Sequence, residues 1–195
     1  MRNTNVRKIV VTAMLAAVAS VLMFVDFSVP IMPSFIKLDI SEMPALIATF
    51  AVGPLWGGAV CFIKNVVNMA LHGTTGGVGE LCNFLLGLTF VLPAGFIYKY
   101  NKTRKGALIG SLVGAVCMAV LSLPINYFIT YPMYAKFMPI DAIIGMYQEI
   151  FPGVDGLFSC LLIFNVPFTF VKGLICSAIT FIVYKRISYI IKGRE

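Results

Sequence analysis

Nine polar side chains stand inside otherwise apolar stretches of the chain: Lys64, Asn65 and Asn68, then Glu80 and Asn83, then Asn126, and finally Asn165, Thr169 and Lys172. In an apolar setting each costs free energy unless it has a partner or a task. The chemistry on offer is hydrogen bonding, since amides both donate and accept and an ammonium only donates. Such a set can hold a guest molecule. Lys172 is the costliest, about 24 Å along its helix at ~1.5 Å per residue. It can snorkel to the inner surface, pair with a buried acid or serve a ligand, and the residues alone leave these open.

Bond-making chemistry has little to stand on. His72 is the only histidine, which excludes H-E-x-x-H and other histidine-rich metal sites. Cys61, Cys82, Cys117, Cys160 and Cys176 lie at wide spacings with no C-x-x-C pair, so no zinc or redox motif forms and they read as small buried residues. The glycine-rich run Gly73–Gly79 is no Walker A loop, because the sequence contains no Gly-Lys dipeptide, and an ATPase is not visible. It reads as a tight turn leaving room for a ligand, or as a plain connector. No Ser, His and Asp arrangement suggests a triad. The expectation is no metal, no cofactor and no catalytic residue.

The elements that must position these groups are membrane helices. The chain has 195 residues, 59% hydrophobic and 12% charged, with mean hydropathy +0.94. Soluble domains carry about 25% charged residues. The fold class expected is an all-α membrane protein with six transmembrane helices, near 6–25, 41–53, 54–71, 80–98, 106–131 and 156–189, in one domain. Ser41 is a plausible N-cap of the second helix. Gly53-Pro54 stops that helix and starts the next. Pro167 is expected to bend the last. Outer loops span 26–40, 72–79 and 132–155. Residues 1–25 have the look of a signal peptide, but the apolar run Ile9–Val25 is long for one and reads as a retained first helix.

Charge placement supports this count. The net charge is +7, and eleven of the fifteen Lys/Arg fall in three clusters: Arg2, Arg7 and Lys8; Lys99, Lys102, Arg104 and Lys105; Lys185, Arg186, Lys192 and Arg194. Six helices put all three clusters on one side, which the positive-inside rule makes cytoplasmic, with both termini there. Asp26, Asp39, Glu42, Glu80, Asp141, Glu149 and Asp155 then fall on or near the other side. Membrane lipids, and no nucleic acid, are the expected partners of the basic clusters.

Several segments taken together resemble a known family. They are Ala13-x-x-x-Ala17 after the basic start, Phe35-Ile-Lys-Leu-Asp-Ile-Ser-Glu-Met-Pro44, His72-Gly-Thr-Thr-Gly-Gly-Val-Gly-Glu-Leu-Cys-Asn83, Pro124-Ile-Asn-Tyr-Phe128 and Phe170-Val-Lys-Gly173. The chain resembles the substrate-binding S components of energy-coupling factor (ECF) vitamin transporters, over nearly its whole length, and within them the riboflavin-specific branch. The resemblance implies a protein of the bacterial cytoplasmic membrane that captures riboflavin outside. It implies docking on a membrane coupling protein driven by two ATPases, with Ala13 and Ala17 at that contact and residues 26–41 as a gate. It also implies that Asn126 and Lys172 reach the vitamin. The family often has Asn three residues before that lysine; here it is Thr169, with Asn165 one turn earlier able to compensate.

A flavin is a flat tricycle edged with carbonyls and nitrogens, carrying a hydroxylated chain. Amides and one cation suit its edges, and apolar or aromatic side chains suit its faces. The candidate riboflavin-binding set is Leu38, Asp39, Met43, Glu80, Asn83, Phe84, Asn126, Asn165, Thr169 and Lys172. The alternatives are an S component for another vitamin or flat heterocycle, and a multi-pass membrane enzyme acting on lipid or peptide.

Overall fold

The structure, a computed structural model, describes residues 4–33, 35–73 and 76–192, with side chains described from 5 to 183. The side chains of Arg2, Lys185, Arg186, Lys192 and Arg194, and the turn residues Thr74 and Thr75, lie outside the described residues. Helix α1 (Thr4–Phe24) leads into a two-stranded antiparallel hairpin of β1 (Phe27–Ser28) and β2 (Lys37–Leu38), with Phe27 opposite Leu38. Then follow α2 (Glu42–Val52), α3 (Pro54–His72), α4 (Val78–Tyr100), α5 (Arg104–Ile125), α6 (Tyr131–Tyr134), α7 (Ile140–Gln148), α8 (Leu157–Cys160) and α9 (Val166–Lys192).

Among the described residues, four helical stretches are long and apolar enough to cross a membrane: Asn5–Phe24, Val78–Tyr100, Arg104–Tyr134 and Leu157–Val183. Their outward faces carry large apolar side chains such as Met14, Leu108, Val120 and Ile182, all well exposed. A soluble protein would bury such residues; in lipid they are in place. Between these stretches α2 is apolar on nearly every side and buried from Pro44 to Phe50, packing against α1, α3, α4 and α9. A helix apolar all round belongs at the centre of a bundle.

Local sequence explains the breaks. Gly53 closes α2 with φ +123°, a conformation side chains rarely adopt, and Pro54 opens α3, where a missing N–H costs nothing. Gly76 and Gly77, at φ +62° and +86°, make the left-handed turn into α4. Ser41 is a correction: its backbone is helical, and its hydroxyl caps no helix N–H. The hydroxyl is taken by charged partners described below, whose bonds are stronger than a cap.

Two further features were not expected. The 132–155 connection carries α7, whose Ile143 and Tyr147 are buried against α6 and α8 residues in a second apolar cluster. And the helices predicted at 106–131 and 156–189 are each widened by one π turn, at Asn126–Thr130 and Leu161–Asn165. Pro132 and Pro167 follow these turns by two residues. A proline there lacks the N–H and crowds the carbonyl four residues back, so the chain closes i→i+5 instead: Tyr131 N–H donates to Asn126 O and Val166 N–H to Leu161 O.

Helices α4 and α5 approach closely along Gly110 and Gly114. A Cβ on Gly114 would lie 2.4 Å from the Phe90 carbonyl oxygen, and one on Gly110 2.7 Å from that of Ala94. Small residues four apart permit this contact in membranes. Gly114→Val should therefore cost about 1–3 kcal/mol through overpacking and lower the melting temperature in detergent. Val120→Ala, on the exposed face, should leave it nearly unchanged.

Candidate functional site

One cavity of about 540 Å³ opens between the hairpin loop and α1, α3, α4, α5, α6 and α9. Each wall follows from helical spacing. On α4, Gly79, Cys82, Asn83 and Leu86 repeat at i, i+3, i+4 and i+7; on α9 and the π turn before it, Asn165, Thr169 and Lys172 share one face. The π turn after α5 matters most. Five residues of regular helix would leave Tyr131 about 140° around the axis from Asn126 at ~100° per residue. The widened turn brings Asn126, Thr130 and Tyr131 to the same cavity.

The floor is ionic. Lys172 Nζ donates to Asp39 Oδ2 at 2.7 Å and to Asn83 Oδ1 at 3.4 Å. Both members of the ion pair are almost wholly buried, 6% exposed each. Of the three fates open to Lys172, the structure shows the paired acid and a place in the cavity lining together, and no reach toward lipid. Asp39 Oδ1 accepts from the Ser41 N–H at 2.9 Å and from the Ser41 hydroxyl. Burial pushes the Asp39 carboxyl up, but the Lys172 and Lys64 ammoniums and the hydrogen bonds outweigh it and hold it well below the usual carboxylate range.

A second ion pair stands behind the first. Lys64, fully buried on α3, donates to Glu42 Oε1 at 2.7 Å and to Ser41 Oγ at 2.6 Å. Glu42 also accepts from the Cys61 thiol at 3.6 Å.

The far wall is a ring of neutral hydrogen bonds. Tyr147 donates to Asn165 Oδ1 at 2.8 Å, and Asn165 Nδ2 donates to the Tyr131 hydroxyl at 3.5 Å. Since the Tyr147 proton is used, Tyr131 donates to Tyr147, closing the ring. Asn126 donates to Ser122 O at 2.8 Å and accepts from the Cys82 thiol at 3.4 Å. Phe35, from the loop between the strands, lies tilted against Tyr134 and edge-on to Tyr147, each at 6.3 Å between ring centres, so the hairpin loop and the 132–155 connection meet there.

Of the residues predicted as ligand contacts, Asp39, Glu80, Asn83, Asn126, Asn165, Thr169 and Lys172 line this cavity. Leu38, Met43 and Phe84 are not among its lining residues. Leu38 sits in the hairpin, Met43 in the first turn of α2, and Phe84 packs on Phe62 at 5.6 Å between ring centres. Sequence reasoning passed over Phe35, His72, Thr130, Tyr131, Tyr134 and Phe168, which do line it. The tyrosines of a loop-proximal helix end carry no periodic signal, and only the Pro132 stop hinted at a changed turn. Ala13 and Ala17 are exposed on the outer face of α1, while Ala16 and Ser20 face inward.

A helical protein with several membrane-length apolar helices and an open cavity lined by amides, an ammonium and aromatic rings is suited to binding a solute. The chain matches the sequence profile of the ECF transporter, substrate-specific component, over residues 7–184, and belongs to that family. Relatives include the riboflavin transporter FmnP of Bacillus subtilis (strain 168), 32% identical with 92% of this chain and 91% of the relative covered. The riboflavin transporter RibU of Staphylococcus aureus (strain TCH60) is 31% identical, with 95% and 93% covered. A solved S component of a bacterial ECF transporter superposes with a TM-score of 0.75 at 30% identity, over 97% of this chain and 99% of that one. The relatives are transporter components and not enzymes.

Removing one member of a buried ion pair strands the other, at about 3–5 kcal/mol. Asp39→Asn or Lys172→Met alone should lower the melting temperature clearly, and the double variant should recover much of it. A depressed carboxyl stabilises above its unfolded value and loses that only as pH falls through the folded one. The gap in melting temperature between wild type and the Asp39→Asn/Lys172→Met double variant, in which no partner is stranded, should therefore hold constant from about pH 5 to 8.

Proposed function

We propose that this protein is the riboflavin-capturing S component of an ECF transporter in a bacterial cytoplasmic membrane. The observation that carries the reading is the gathering of two asparagines from π turns and a buried lysine around one cavity, with aromatic side chains between them. Cavities of 300–1,000 Å³ hold small organic ligands, and this one has about 540 Å³. A flavin ring offers carbonyls and ring nitrogens as acceptors for the Lys172 and Asn165 N–H groups. Phe35, Tyr134 and Phe168 offer faces for the ring. Asp39, Glu80, Asn83, Asn126 and Thr169 complete the polar set. Thr169 stands where the family often has asparagine, and its hydroxyl lines the same wall as Asn165.

In this reading the chain crosses the membrane six times, by α1, α2, α3, α4, α5–α6 and α8–α9, with both termini and the 99–105 linker in the cytoplasm. Helix α2 has 11 residues, roughly 17 Å at ~1.5 Å each, against about 30 Å of hydrocarbon. The hairpin loop makes up the difference by entering the bundle from outside. Irregular backbone is tolerated at that depth where its polar groups are paired within protein, as the Ser41 N–H is by Asp39 Oδ1. The loop is then the gate of the cavity. The exposed Ala13–Ala17 stripe is the contact for a membrane coupling protein, which two ATPases drive.

Purified protein should bind riboflavin saturably and quench its fluorescence, and in a competition panel against labelled riboflavin no other flat heterocycle should displace it at lower concentration; no saturable binding would remove the reading. Lys172→Ala should weaken binding about tenfold or more, equal to ~1.4 kcal/mol. Ala13→Trp or Ala17→Trp should leave binding intact and abolish uptake with the coupling proteins.

A further inference from the structure

The two buried ion pairs are not independent. Ser41, wholly buried, joins them: its hydroxyl accepts from Lys64 at 2.6 Å and donates to Asp39 Oδ1. Asp39 thus divides its two oxygens, Oδ2 to Lys172 in the cavity and Oδ1 to Ser41 with Lys64 behind it. Lys64, Ser41 and Glu42 do not line the cavity; Asp39, Asn83 and Lys172 do. Four charges, two of each sign, sum to zero within the bundle, so no ammonium is stranded. A hydroxyl that accepts from a cation donates more strongly, so Lys64 sharpens the bond that Ser41 makes to Asp39.

This arrangement bears on what happens when a guest enters. Lys172 must turn an N–H toward a neutral acceptor on the ligand. If Asp39 depended on Lys172 alone, that movement would leave a buried carboxylate short of partners, and the cost would come out of the affinity. With Oδ1 held from the other side, Asp39 stays anchored and partly satisfied while Lys172 adjusts. Gly87 lies against the second pair: a Cβ there would stand 3.0 Å from both Glu42 Oε2 and the Cys61 sulfur and would press on the Glu42 carboxylate.

We propose that Lys64, acting through Ser41 and balanced by Glu42, is a positioning residue of the ligand site: it fixes Asp39 so that the Lys172 ammonium is free to donate to a carbonyl or ring nitrogen of a neutral heterocycle. The inference deepens the riboflavin reading and rests on it.

The test is a double-mutant cycle read as riboflavin affinity, with melting temperature measured alongside. Glu42→Gln/Lys64→Met removes the second pair without leaving a net charge; Ser41→Ala removes only the link and leaves all four charges. Each should weaken riboflavin binding about tenfold in the otherwise wild-type protein and less than about twofold in an Asp39→Asn background, because the effect runs through Asp39. The absorption band of bound flavin should shift in the first background and not in the second. Equal losses in both backgrounds, as a merely structural role would give, overturn the proposal. So do variants that bind as tightly as wild type. If one variant does not fold, the other decides. A wild-type protein that binds no riboflavin removes the functional reading and this inference with it, which separates that failure from the failure of the inference alone.

Discussion

An ammonium and a carboxylate removed together from water are tolerable only if each finds the other, and the layout of this protein follows from that constraint. Lys172 lies on the last helix and Asp39 on the first connection, 133 residues apart. For them to meet, the 26–41 segment has to leave the surface and enter the bundle. The short α2 follows from this, since it begins where that segment ends, beside Glu42 and its own buried partner Lys64. The cavity lies over the first pair because the loop that supplies Asp39 also supplies Phe35 and Ile36 to the cavity wall.

The remaining walls solve a different problem. A regular helix shows one stripe to the core, and three or four polar groups on one stripe cannot surround a guest. The π turns at Asn126–Thr130 and Leu161–Asn165 shift the stripe, so that one helix presents amide, hydroxyl and phenol to one place. The second turn sets Asn165 against Tyr131 and Tyr147, where its oxygen and one N–H are engaged and the other N–H is left for the cavity.

Much of this was legible in the chain itself. Hydropathy marked the long apolar helices, and the Gly53-Pro54 break falls where the residues put it. Lys172 was legible as a cost demanding an explanation. Its partner was not, because nothing in a loop sequence states how deep the loop runs. Ser41 read as a cap by residue type, and the charges around it redirected its hydroxyl. Leu38, Met43 and Phe84 were picked by apolar character alone, which does not tell a cavity wall from a core. The Gly110–Gly114 contact and the buried face of α7 depend on which neighbours pack there, and a single sequence does not display its neighbours.

The most direct measurement of the central claim is an experimental density map of the protein loaded with riboflavin in a lipid nanodisc. The account predicts a flavin ring inside this cavity, the Lys172 nitrogen within hydrogen-bond reach of a ring acceptor, and Asp39 still held by Ser41. A flavin bound elsewhere, or a Lys172 side chain extended to the lipid headgroups, would contradict it.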